Sequence, residues 1–140
     1  MKIKIYSKKA PKPVGSYPHS RLAGDFLFLS GIGPRDPKTN LIPGAKYDNN
    51  MNVISYDIES QCHSVFKNIK LVLSESGSTW TDLVDVTVFL TNMKLDFKKF
   101  NKIYKQYFLD NQPCRTTVEV NSLPTPIAIE LKCIAYLGDR

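Results

Sequence analysis

Between Asp57 and Glu75 the apolar residues Ile58, Cys62, Val65, Phe66, Ile69, Val72 and Leu73 recur at steps of three and four. That spacing gathers them on one face and predicts an amphipathic helix, with Gly77 as its stop. Farther on the period falls to two: Val84, Val86, Val88 and Leu90 alternate through "LVDVTVFLTN", as in a strand with one covered face. The helical step returns near Lys94 to Leu109, where Phe97, Phe100, Ile103, Tyr104, Tyr107 and Phe108 share an inner face. The periodicity marks these aromatics as core rather than as a cofactor box.

The flanking segments are shorter. "KIKIY" alternates and suits an edge strand with its lysines outward. "SRLAGDFLFLSG" holds two β-prone pieces around Ala23-Gly24-Asp25, a hairpin turn. Residues 32–54 carry three prolines and two glycines and are assigned mainly to loop, of a length that in a small domain is often functional. "PCRTTVEVNSLPTPIAIELKCIAYL" reads as two strands joined by a short proline-bearing turn, the first headed by Arg115, the second interrupted by Glu130. If these strands pair directly as antiparallel neighbours, the two charges come together; an inserted strand would break that geometry. On pattern alone the pair is an ion pair at a sheet edge.

Strands, helix, strand, helix, two strands make an α+β domain over residues 1–140, with two helices on one face of the sheet. No helix is left for the other face, so a second copy of the chain is its natural cover.

A chain of 140 residues suits one domain, and 42% apolar with 23% charged residues describes an ordinary globular protein. No apolar run approaches the ~18 residues of a membrane helix, and "MKIKIYSKKAPK" lacks the apolar core of a signal peptide, which predicts a cytoplasmic protein. Cys62, Cys114 and Cys133 show no C-x-x-C spacing, so they are expected reduced and mostly buried, with no zinc site. A net charge of +6 draws anionic partners in general. The lysines from Lys94 to Lys105, however, read as the wet face of a helix.

"GSYPHSRLAGDFLFLSG", "DLVDVTVFLTNM", "PCRTTVEVNSLP" and "IAIELKCIAYL" together resemble the Rid family of enamine/imine deaminases, also called the YjgF or L-PSP family, over nearly the whole length. The "YPH" and "AGDFLFLSG" blocks resemble 2-aminomuconate deaminases most. The resemblance implies the chorismate-mutase-like Rid fold with a mixed sheet. It also implies a homotrimer with sites in clefts between subunits, and hydrolysis that releases ammonia without metal or organic cofactor. It places the substrate-binding arginine on Arg115 and the acidic residue on Glu130, with Tyr17, Ser30, Gly31 and Asn92 lining the cleft. Where many members have "SGQIP" this chain has "SGIGPRDP", and Cys114 stands where alanine is common. Cys114 is read as a space-filler, an oxidation target being the alternative.

Hydrolysing a 2-imino or 2-enamino acid needs a carboxylate clamp, a water aimed at C2 and a group that moves protons. The fork of Arg115 suits the clamp, and the carboxyl of Glu130 suits proton transfer. 2-Aminomuconate has a carboxylate at each end and needs a second cation, for which Arg35 is the better candidate and His19 the lesser. His63 falls on the helix surface, Ser30 has no partners for a serine-hydrolase triad, and Asp85 and Glu119 read as solvent-facing. The reading is a Rid-type deaminase of 2-aminomuconate or a related unsaturated 2-amino acid. Its rivals are a generalist imine deaminase, an L-PSP-type endoribonuclease or RNA-binding protein, and a ligand sensor without catalysis. The RNA reading lacks a histidine-based cleavage constellation and an aromatic-basic stacking motif. Retention of both Arg115 and Glu130 argues against the sensor.

Overall fold

A computed structural model describes residues 2–138. Eight strands and two helices follow one another as β1 (Lys2–Ile5), β2 (Ser20–Ala23), β3 (Phe26–Leu29), β4 (Lys46–Tyr47), β5 (Val53–Ser55), α1 (Ile58–Glu75), β6 (Leu83–Leu90), α2 (Met93–Tyr107), β7 (Cys114–Glu119) and β8 (Ile129–Tyr136). Six strands form one mixed sheet in the order β1-β2-β3-β8-β6-β7. As the alternating lysines suggested, β1 is an edge. Residues 32–54 are mostly irregular, as expected, but they include β4, which pairs with β5 in a small separate hairpin.

Local chemistry sets the boundaries. Asp57 caps α1 by accepting from the Glu59 N–H and the Ser60 hydroxyl. Gly77, at φ 74°, supplies the left-handed residue just after the helix ends. Asn92 caps α2 by accepting from the Leu95 N–H at 3.0 Å. β2 and β3 are joined by Gly24-Asp25, with Gly24 at φ 62°.

All seven predicted apolar positions of α1 are buried, and the lysines from Lys94 to Lys105 are exposed. Both helices lie on one face of the sheet, over Val86, Val88 and Leu90 of β6 and Ile129, Leu131, Cys133 and Ala135 of β8. The other face has no helix. There Phe26 and Phe28 of β3 keep 42% and 38% of their surface exposed and Val118 of β7 keeps 37%, so apolar side chains lie open on that face.

One expectation fails. β7 and β8 are not neighbours, because β6 lies between them, parallel to β7 and antiparallel to β8. The reason is α2: a helix following β6 carries the chain back to the end where β6 began, so the next strand enters parallel to it. Residues 120–128 then cross to the far side of β6 before β8 begins. Among the described residues no helix is long and apolar enough to cross a membrane.

Candidate functional site

A cavity of about 370 Å³ opens where β3 leaves the hairpin and β8 begins, walled by residues 10–14. Its floor is Glu130. Beyond β3 the chain continues alongside β8, with Ile32 and Leu131 exchanging backbone hydrogen bonds of 2.8 and 3.0 Å. This pairing lays Gly31 directly over the carboxyl: a β-carbon there would sit 2.7 Å from Glu130 Oε2. Glycine is the residue that leaves the carboxyl its place. Burial raises the pKa of Glu130 above the usual carboxylate value, so it holds its proton to higher pH than an exposed glutamate.

Tyr17, His19, Ser30 and Arg35 also line the cavity. The Ser30 hydroxyl donates to the Pro18 carbonyl at 2.7 Å, and its N–H donates to the His19 carbonyl. Tyr17 Oη accepts from the Val14 N–H at 3.2 Å. His19, 8% exposed, accepts from the Ser7 N–H at Nδ1 (2.9 Å) and faces the Pro11 carbonyl with Nε2 (2.7 Å). With a donor at Nδ1 and an acceptor at Nε2, the two hydrogen bonds together fit the tautomer that carries its proton on Nε2. Arg35 donates from Nη1 to Asn40 Oδ1 and from Nη2 to the Lys12 carbonyl.

Arg115 and Asn92 are not part of this cavity. Arg115 stands opposite Val86 and therefore points to the helix side, where its guanidinium lies 4.6 Å from the Tyr104 ring centre and Nη1 donates to Asn101 Oδ1 at 2.9 Å. Glu130 stands opposite Phe89, whose side chain alternates with the buried Val88 and Leu90, and so points to the other face. Two strand spacings and three residues of offset separate the two backbones by roughly 14 Å. Within one protomer the direct approach expected of Arg115 and Glu130 does not occur.

His63 is exposed and bonded to the Tyr107 hydroxyl. Cys114 is exposed, whereas Cys62 and Cys133 are buried, which pushes both of their thiols up to about 12. Glu119 accepts from the Met93 N–H at the start of α2. Sequence reasoning missed two buried amides on α1. Asn68 donates to the carbonyls of Gly33 and Arg35, and Gln61 accepts from the Ala128 N–H just before β8. Each adjoins a core position, Ile69 and Cys62, so a polar residue in the phase of the apolar stripe was the available signal. Among the described residues no group of three or more His, Cys, Asp or Glu is placed to hold a metal ion.

A helix-backed sheet with a desolvated carboxyl at the floor of a small cavity defines a compact α+β domain suited to small molecules. The family model described as Endoribonuclease L-PSP matches residues 7–137, and the chain belongs to this family, also called Rid or YjgF. A RutC family protein of Pyrococcus horikoshii is 40% identical over 136 residues, spanning 97% of this chain and 98% of that one. Another from Saccharolobus solfataricus is 42% identical over 135 residues, spanning 96% and 98%. Among solved structures, a Rid family protein of unknown function from Yersinia pestis superposes with a TM-score of 0.84 at 34% identity, spanning 97% and 99%. TdcF of E. coli with bound serine superposes at 0.82 and 29%, spanning 96% and 98%.

Proposed function

We propose that the protein is a hydrolytic deaminase of 2-imino and 2-enamino carboxylates, with a site completed between subunits of a trimer. The observation that carries this reading is Glu130, a carboxyl with a raised pKa, guarded by Gly31 and open to a cavity of small-molecule size. TdcF supports it, since a protein of this fold holds serine, a 2-amino carboxylate.

The substrate carboxylate binds the guanidinium of Arg115 from a second copy through two parallel charge-assisted hydrogen bonds. Glu130 protonates C3 of an enamine, giving the imine. Water adds to C2 as Glu130 takes its proton. Glu130 returns that proton to nitrogen, and the carbinolamine expels ammonia as its hydroxyl proton passes to Glu130, leaving the 2-oxo acid and Glu130 protonated as at the start. One imine and one water give one 2-oxo acid and one ammonia. Imines react readily with water, so holding the parts in line supplies much of the acceleration. A second copy is required because Arg115 and Glu130 face opposite sides of one sheet. The exposed Phe26, Phe28 and Val118 on the face without helices offer apolar surface for such a contact.

Within the class, 2-aminomuconate brings a second carboxylate; Lys12 and Arg35 line the cavity, but the terminal nitrogens of Arg35 are already engaged by Asn40 and the Lys12 carbonyl. The test is ammonia release from enzymatically generated 2-iminobutyrate and 2-aminomuconate, with light scattering on the same sample. Release by a trimer is expected. RNA cleavage that survives purification, with no ammonia from either substrate, would reverse the reading.

A further inference from the structure

Residues 7–14 belong to no helix or strand, yet 10–14 make one wall of the cavity. Pro11 and Pro13 have no N–H to offer, so two positions of this strap cannot donate to a sheet ladder. Side chains hold it instead. His19 grips it at two points, accepting from the Ser7 N–H and donating to the Pro11 carbonyl. Arg35 donates to the next carbonyl, that of Lys12, while its other terminal nitrogen is held by Asn40. Tyr17 Oη accepts from the Val14 N–H. The grip is anchored in the core, because buried Asn68 of α1 donates to the Arg35 carbonyl at 2.8 Å.

Tyr17, His19 and Arg35 were among the residues expected to touch substrate, and each has polar atoms engaged by the strap. We propose that these three are positioning residues that hold the 7–14 strap as a wall beside Glu130, and that the strap governs substrate retention rather than the chemical step. Its kinetic side rests on the deaminase reading above; the fastening itself does not.

The experiment follows hydrogen exchange at the Ser7, Ala10 and Val14 amides together with steady-state kinetics on 2-iminobutyrate and 2-aminomuconate. Arg35→Ala and His19→Ala are expected to speed strap exchange at least about tenfold while α1 amides stay protected. KM should rise about tenfold on both substrates, with kcat within about threefold. His19→Gln, whose amide can both donate to Pro11 and accept from Ser7, should restore slow exchange and low KM. Should Arg35→Ala not fold, Arg35→Lys, with a point charge in place of the fork, should give an intermediate rate. Unchanged strap exchange in the alanine variants overturns the proposal. So does a KM loss confined to the dicarboxylate, which would make Arg35 a direct charge partner. If the wild type releases no ammonia at all, the deaminase reading fails and the exchange measurement alone decides the strap.

Discussion

Glu130 lies on β8 inside the sheet, with a glycine over it and a cavity walled by its own chain, whereas Arg115 lies on the edge strand β7, its guanidinium resting on the rings of α2. The first region is assembled by the fold of one protomer, because each of its walls is tied by hydrogen bonds within the chain. The second presents a cation to whatever approaches that edge. The contrast teaches that the two proposed functions are separable: the setting of Glu130 depends on folding alone, whereas the carboxylate clamp proposed for Arg115 depends on assembly as well.

Removing Glu130, the proposed proton carrier, should have the largest effect. Glu130→Gln is expected to lower kcat/KM about a thousandfold in an ammonia-release assay while leaving the fold and assembly intact. A loss of less than about tenfold would deny Glu130 its role. Subunit mixing tests the separation directly. Glu130→Gln and Arg115→Ala proteins, each nearly inactive, should recover about a quarter of wild-type activity when refolded together, since one site in four then draws an intact residue from each of two neighbours. No recovery would place both residues' work within one protomer.

Arg115→Lys keeps charge but loses the fork, and a loss of about tenfold in kcat/KM is expected with the trimer unchanged by light scattering. The smallest effect concerns pH. Burial raises the pKa of Glu130 above its unfolded value, so the folded protein binds that proton more tightly. That contribution is present below the unfolded pKa and is lost as pH rises through the folded one. Glu130→Gln cannot ionise, so its melting temperature relative to wild type should climb by a few degrees between pH 4 and pH 8. A constant difference across that range would contradict the desolvation of the carboxyl.

Much of this was legible in the residues. Both helices, the hairpin at Gly24-Asp25 and the long strand β6 follow from local periodicity and turn chemistry, which the surrounding fold did not override. The partnership of β7 was harder to see. The order strand-helix-strand from β6 to β7 signalled a parallel pair, but the proline-bearing stretch between Glu119 and Ile129 looked like a hairpin turn and obscured it. The cavity residues Tyr17, Ser30, Gly31 and Glu130 came from resemblance, and the structure gathers them with His19 and Arg35. What no pattern conveyed was how the polar atoms of Tyr17, His19 and Arg35 are used, because their partners are backbone groups of a segment without periodicity. Asn68 and Gln61 were overlooked for a related reason: a helical wheel marks where a buried amide sits but not which carbonyl or N–H it meets.

Trp80, the single tryptophan of the chain, stacks on Phe108 with ring centres 4.6 Å apart, and its indole N–H donates to the Tyr107 carbonyl at 2.8 Å. It therefore sits where the end of α2 meets α1, among the rings of Phe66, Tyr107 and Phe108 and outside the cavity. The molecule thus carries its own optical gauge. Indole fluorescence reads the seating of α2, the helix on which Arg115 rests, and it does so without a label in the cavity. A substitution at Glu130 or in the strap that leaves the emission spectrum and its unfolding transition untouched has altered the pocket alone.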